Sequence, residues 1–453
     1  MNTKNAENHL GRLNAAADAA RTELENQPVD RWEFFAKASF TREIEVNPGK
    51  PLRIINVEET GVAVRSARDG RAGFAAASGL EGDAPRRAVE GALATEMPVA
   101  FDHLPPQRLL GTSSVRSPRP LPPTGWAGHV GEELARMLAS TAGRQARLRR
   151  TIIQEGAFAW ILATGEGWVA RHEDTSTALL AEVEIEGERS GVWRDWLHIP
   201  DPESFDLEAA AAQVSDRALL TRSRIATDSG LRDLILHPEV AAGLLAAIAP
   251  LFLASGNEEE ELAQMVDREG RLAAPALTLV DDRTEPDAPI TGPCDGEGLP
   301  TRRTLLVDQG VPRYRLASYR DATRHSEVPR GGALRLSYRD YPGTGIANLQ
   351  VSIENGVAAS QLLGSADRAL YLLRPLAPVS FEASTDTYRM IASGVWLDGH
   401  SVCGWHPVVE LRGSLGRLLR RIEAVGTDVR WFQTSQGFVG TPSLLVRRQP
   451  VVG

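Results

Sequence analysis

The spacing of apolar positions divides the chain into two styles. Long alternating stretches interrupted by helical ones come first, and short alternating runs follow. Residues 5–26 place Leu10, Leu13, Ala16 and Ala20 near helical spacing, which predicts an amphipathic helix. Alternation over Phe40–Val46 and Leu52–Val57, with Pro48-Gly49 between, predicts two strands and a turn. Gly61–Ser66 and Arg71–Ala77 flank Asp69-Gly70, a strong hairpin signal. Arg86–Glu96 and Gly128–Gly143 read as helices, and the proline-rich stretch 103–125 between them as a long extended connection. Leu148–Glu155, Ala157–Ala163, Trp168–His172 and Ala178–Ile185 read as four strands of one antiparallel sheet.

Asp206 is placed to cap a helix running to Arg222. Leu234–His237 predicts a short strand, and Pro238–Ala254 a strongly apolar helix. Beyond the acidic run Glu258–Glu261 the pattern becomes short strands at Ala276–Val280, Thr301–Val307, Ala333–Tyr338, Tyr371–Leu373, Thr387–Trp396 and Val408–Arg412, with one helix over Leu415–Val425. The expected fold class is α+β, an N-terminal antiparallel sheet covered by helices and a C-terminal strand-rich domain. The division falls near 215–230, giving domains 1–220 and 221–453.

Composition narrows the function classes. The 453 residues are 42% apolar and 24% charged, ordinary for a soluble globular protein of two or three domains. A formal net charge of -9 points away from a nucleic-acid partner. No run of about 18 apolar residues predicts a membrane helix, and the polar start lacks a signal core, so the expected location is cytoplasmic with no membrane partner. Two distant cysteines, Cys294 and Cys403, make neither a disulfide framework nor a cysteine-rich zinc site.

Motifs for chemistry are mostly missing. There is no GxSxG elbow, no Walker A, no GxGxxG after a strand and no HExxH. His172-Glu173 lacks a second histidine at helical spacing and reads as a solvated strand end. His129 with Glu132 and Glu133 reads as a surface ion pair. Cys294 stands beside Asp295 and Glu297, and like charge disfavours its thiolate, so it reads as inert. Asp281-Asp282 ends a strand and opens a loop that also holds Asp295 and Glu297, four carboxylates within one loop. They could receive a cation or a basic peptide group, and the plainer expectation is that they cap turns.

Two runs then carry a family likeness. Leu277–Thr284 reads Leu-Thr-Leu-Val-Asp-Asp-Arg-Thr, and Cys294–Gly310 reads Cys-Asp-Gly-Glu-Gly-Leu-Pro-Thr-Arg-Arg-Thr-Leu-Leu-Val-Asp-Gln-Gly. Together they resemble the TldD/PmbA family, once called modulators of DNA gyrase. That family shows a strand ending in Asp-Asp-Pro/Gly-Thr, a loop, Asp-Asp-Glu-Gly-x-Pro-Thr and a strand ending in Asn-Gly. Val62–Ala76, Tyr314–Arg324, Asn348–Gly356 and Val408–Asp428 resemble further stretches of it, and the likeness is thin between 100 and 230.

The resemblance implies a TldD-type subunit whose HExxxH helix and a later cysteine hold zinc, with the glutamate as general base. The matching positions here are Ala246, Ala247 and Leu251, and no cysteine occurs near Gln436–Val439. His237 and Glu239 are the nearest polar residues, but they flank the helix start and do not share one helix face. The resemblance therefore implies the TldE/PmbA type, with no catalytic residue and no metal in this chain. Zinc is expected in a TldD-like partner, in a heterodimer that cleaves peptides, unfolded polypeptides or precursors of peptide natural products. Asp281, Asp282, Asp295 and Glu297 are the expected substrate-binding or interface residues. The alternatives are a stand-alone homodimeric peptide-binding or scaffold protein without hydrolase activity, and an enzyme with a relocated site.

Overall fold

Alternation along the first strands decides what each face of the first sheet meets. In the computed structural model, described over residues 3–50, 52–98, 104–111, 118–142, 145–186, 191–221, 225, 229–256, 258–365, 368–399 and 401–452, the chain begins with α1 (Thr3–Glu25). Then come β1 (Arg31–Val46), β2 (Arg53–Arg68), β3 (Arg71–Ser78), α2 (Ala84–Ala94), β4 (Met97–Pro98), α3 (Thr124–Ala142), β5 (Ala146–Thr164), β6 (Val169–Ile185), β7 (Gly191–Ile199) and α4 (Leu207–Leu219). The seven strands form one antiparallel sheet in the order β4-β3-β2-β1-β5-β6-β7.

Phe34, Ala36, Ala38, Val62, Val64, Ala159 and Ile161 pack under α1 and α2. Farther along the same strands, Ile44, Val46, Ile153 and Leu179 pack with α3 and α4. Because side chains alternate with period two, Glu33, Phe35, Lys37, Arg65, Phe158, Trp160 and Leu162 lie on the opposite face. That face meets the C-terminal half.

The strand and hairpin expectations hold with differences. Asp69 (φ 47°) and Gly70 (φ 69°) make the tight turn between β2 and β3. The four strands expected over 148–185 are two long ones, β5 and β6. Gly156 sits inside the ladder, paired with Thr41 and Ser176. A Cβ there would come within 2.7 Å of Ser176 Oγ, so this glycine marks close approach and not a break. Strand β7 was not foreseen. His172, expected at a solvated strand end, lies within β6 and is 2% exposed. Its ring is tilted against Trp160 and Phe158, because the ladder continues through the polar residues that follow. Asp206 caps α4 as expected, accepting from Ala209 N–H at 2.9 Å. Of the proline-rich connection, residues 103 and 112–117 lie outside the described residues.

The C-terminal half runs β8 (Gly230–Leu236), α5 (Pro238–Ile248), α6 (Glu258–Met265), β9 (Leu279–Asp282), β10 (Arg303–Asp308), β11 (Val311–Pro312), α7 (Tyr319–His325), β12 (Ala333–Leu334), β13 (Gly343–Thr344), β14 (Asn348–Val351) and α8 (Ala359–Gly364). It continues with β15 (Arg368–Pro375), β16 (Ser380–Glu382), β17 (Thr387–Asp398), β18 (Ser401–Ser414), α9 (Leu415–Leu419), β19 (Ile422–Val425), β20 (Arg430–Thr434), β21 (Gly437–Thr441) and β22 (Leu444–Val452). Beside the two-stranded β12–β13 sheet there are two larger ones, of which one has the order β11-β10-β9-β14-β21-β20. In the other, β15-β8-β22-β18-β17-β16, a β15–β17 pairing closes the sheet on itself.

The helix expected over Leu415–Val425 stops at Leu419, and Ile422–Val425 pairs with β22. The apolar spacing suited either element, and the tertiary ladder decides. The strand expected over Ala333–Tyr338 is only two residues long, and the acidic run opens the unforeseen α6. The apolar helix expected to Ala254 is α5 followed by a 3-10 turn over Ala249–Phe252, where Pro250 cannot donate to a helical ladder. No described helix is long and apolar enough to cross a membrane.

Candidate functional site

A charged pair facing the wrong way for a solvent-exposed sheet is the first sign of a site. Glu33 on β1 lies directly opposite Arg65 on β2, and both are almost fully buried. Arg65 grips Glu33 in two-point fashion, with Nε donating to Oε1 at 3.0 Å and Nη2 donating to Oε2. Arg65 Nη1 also donates to Glu297 Oε1 at 3.0 Å. Arg335, just past β12, donates from Nη2 to Glu33 Oε1 at 2.7 Å. The chain thus links its two halves by a buried network of alternating charge. Burial alone would raise the Glu33 carboxyl, but Arg335 and Arg65 outweigh it and hold the group at about 2.

The four carboxylates singled out in the sequence are all buried and turned into the chain. Asp281 Oδ1 accepts from the N–H groups of Ala347 (2.9 Å) and Asn348 (2.7 Å), tying β9 to β14. Asp282 Oδ1 accepts from Thr284 N–H at 2.8 Å and its hydroxyl at 2.6 Å, as a turn cap does. Asp295 accepts from Glu297 N–H (2.9 Å), Leu299 N–H (3.0 Å) and Ala333 N–H (3.0 Å). Glu297 Oε2 accepts from Tyr319 N–H at 2.6 Å. Burial pushes Asp281, Asp295 and Glu297 up, against the pull of Arg283 on the first two and of Arg65 on the third. Among the described residues, no three His, Cys, Asp or Glu side chains come together as a metal-ligating cluster.

Between the sheet face and the loops 283–296 and 333–336 lies a cavity of about 350 Å³. Phe35, Phe158, Trp160, Leu162 and Phe438 give it apolar walls, and Lys37, Arg283, Asp295 and Arg335 reach it as charged residues. Its size and its mix of aromatic wall and few convergent charges are those of a ligand pocket. Cys294 lines it too, buried, its thiol pushed up first by burial and then by Asp295, so it is no nucleophile. Of the four singled-out carboxylates only Asp295 lines this cavity. Glu33, Arg65, Arg283 and Arg335 were not foreseen as site residues. Arg65 left a trace in the sequence, a charge placed directly after the apolar Val62–Val64, and Arg283 stands within the Leu277–Thr284 run.

The helix that the resemblance equates with a zinc site is of the opposite character. Ala246 is 8% exposed and Leu251 1%, and both belong to the largest apolar cluster of the molecule, with Ala247 packed against it. Strand β21, which spans most of the expected cysteine position, packs on α5. Methyl and isobutyl groups offer no lone pair, so these residues do not fit a zinc ion. At the start of α5, His237 Nδ1 accepts from Glu239 N–H at 3.2 Å and Nε2 lies 3.3 Å from Arg430 Nη1. Burial first, and then Arg217, press the imidazole well below its ordinary range, so it stays neutral. Asp195 on β7 ties Arg430 (2.9 Å) and Arg217 (2.7 Å) into the same region. Glu239, 3.8 Å from Arg374, is pushed up to about 7, chiefly by burial.

Two family models match. The PmbA/TldA metallopeptidase C-terminal domain covers residues 229–453, and PmbA/TldA metallopeptidase domain 1 covers residues 32–95. An uncharacterized protein of Methanocaldococcus jannaschii is 27% identical over 186 residues, 40% of this chain and 42% of that protein. A metalloprotease of Synechocystis is 26% identical over 189 residues, 38% of this chain and 37% of that protein. The chain thus spans about two fifths of the length of the curated relatives it matches. The crystal structure of TldE from Thermococcus kodakarensis superposes with a TM-score of 0.83 at 17% identity, over 97% of this chain and 100% of that one, a likeness of fold.

Proposed function

Because the chain belongs to the PmbA/TldD family, we propose that it is the non-catalytic, TldE-like subunit of a two-subunit zinc peptidase. In this reading a TldD-like partner holds the zinc and performs hydrolysis, and this chain supplies part of the wall along which the peptide lies. One observation carries it. The helix positions equated with His, Glu and His are Ala246 and Leu251 in the core and Ala247 packed against it, which leaves neither metal ligand nor general base there. Asp281, Asp282, Asp295 and Glu297 would act indirectly. Each accepts from at least one backbone N–H group, with the Thr284 hydroxyl and Arg65 as further donors to Asp282 and Glu297, so they brace the loops that wall the cavity. Extended peptides suit such strand-built walls, which recognise backbone with little demand on sequence.

The test is co-expression with a TldD-type subunit. The pair should co-elute, carry zinc in the partner alone and lose peptidase activity to a chelator. Asp295→Ala should lower the activity of the pair. Stoichiometric zinc and chelator-sensitive cleavage in this chain alone would overturn the reading, and elution as a homodimer beside the partner would replace it by a stand-alone scaffold.

A further inference from the structure

Two guanidinium groups at the cavity carry hydrogen-bond donors that nothing described accepts. Arg283 is 5% exposed and Arg335 9%. Arg283 Nη1 donates to Ala333 O at 2.9 Å, and its Nε and Nη2 have no acceptor among the described residues. Arg335 Nη2 is taken by Glu33, while Nε and Nη1 have no acceptor among the described residues. The plane of Arg335 is fixed by Phe35, whose ring centre lies 4.5 Å from the guanidinium carbon. A buried guanidinium donor without an acceptor is costly, and four on two neighbouring side chains make an unfilled demand for oxygen. The nearby carboxylates do not meet it. Asp295 spends its oxygens on backbone N–H groups, and Glu33 spends its own on Arg65 and Arg335.

We propose that Arg283 and Arg335 together bind a carboxylate of the peptide that enters this cavity. The inference rests on the peptide-wall reading above. Planar guanidinium forks match the two oxygens of a carboxylate. A phosphate dianion fits less well, because Glu33 and Asp295 already place negative charge beside both arginines, and like charge repels in a poorly screened site. The apolar wall of Phe158, Trp160 and Leu162 would receive the side chain next to that carboxylate. Exposed Leu336 stands at the rim, so the cavity reaches the surface. The carboxylate is either the free C-terminus of the peptide or an acidic side chain, and the two are separable by experiment.

The full chain alone is titrated calorimetrically with three peptides: acetyl-Ala-Ala-Phe with a free C-terminus, its C-terminal amide, and the amide with Glu replacing the second Ala. The plain amide should bind about 10- to 100-fold more weakly than whichever peptide presents the recognised carboxylate, the loss expected for removing a charged hydrogen-bonding partner. A preference for the free acid assigns the C-terminus, and a preference for the Glu amide assigns a side chain. Arg283→Gln should abolish that preference. Equal affinity for all three, no binding by about millimolar peptide, or a preference that survives Arg283→Gln would overturn the proposal. The wild-type comparison needs no variant to fold. It is also independent of pairing: co-elution with a zinc subunit but no carboxylate preference sinks only this inference, and the converse sinks only the subunit reading.

Discussion

Two glutamates, Glu33 on β1 and Glu239 in the first turn of α5, titrate in opposite directions although burial raises both. Glu33 receives two arginines in hydrogen-bonding contact, and their pull exceeds the penalty of burial, leaving it at about 2. Glu239 has Arg374 only at 3.8 Å, and burial wins, lifting it to about 7. What separates them is the number and geometry of partners more than depth. The first region keeps fixed charge and frames a cavity. The second begins the helix whose far end, Ala246 to Leu251, is entirely aliphatic.

The largest effect should come from breaking the first region. Glu33→Ala would remove the carboxylate that Arg65 and Arg335 share and cost about 3–5 kcal/mol at pH 7, read from the denaturant midpoint. Because the folded carboxyl titrates below its ordinary 4.5, this contribution is complete above pH 4.5 and fades as pH falls toward 2. A wild-type stability flat between pH 5 and pH 2 would contradict it. Next, Leu251→Ala should cost about 2–5 kcal/mol through the cavity it leaves, while peptide binding by the chain stays unchanged. Lost binding at equal foldedness would mean that the helix end touches substrate after all.

Glu239→Gln works the other way. A raised folded pKa means that the native state holds its proton longer, so wild-type stability falls as pH rises from about 4.5 to about 7. The glutamine should therefore stabilise by about 1–2 kcal/mol at pH 8 and by almost nothing at pH 4, a small share because the side chain is 22% exposed. A destabilised variant at pH 8 would show Arg374 to be a stronger partner than its distance suggests. Smallest of all, Arg86→Ala, which removes the exposed pair with Glu90, should leave the melting temperature within error.

How readable these regions were in the sequence follows from how local they are. The aliphatic helix end could be read because a motif's ligands sit within one helical stretch, and their replacement by Ala246, Ala247 and Leu251 is visible without a fold. The turn-capping role of Asp282 is equally local, two residues from Thr284. The charge network is not local. Arg65 and Glu297 are 232 positions apart, and Glu33 and Arg335 are 302 apart, so no spacing rule could have joined them. Alternation puts Trp160 in an expected strand, but Glu33 and Phe35 precede the strand expected from Phe40, and nothing local says what covers the face the three share. His172 was misjudged because the charged residues after it resemble a strand end, while the ladder with β5 runs on through them.

The apolar cluster beneath α3 and α4 has an implication for how such chains can diverge. Ile235, Ala369, Leu373, Val395, Leu397 and Leu445 belong to the same cluster as Ile44, Leu134 and Leu179. The family unit that begins at residue 229 is therefore a unit of inheritance but not of self-sufficiency. Expressed without its first half it would present these aliphatics to water and aggregate. Recombination between distant cousins would have to exchange both sides of the joint together.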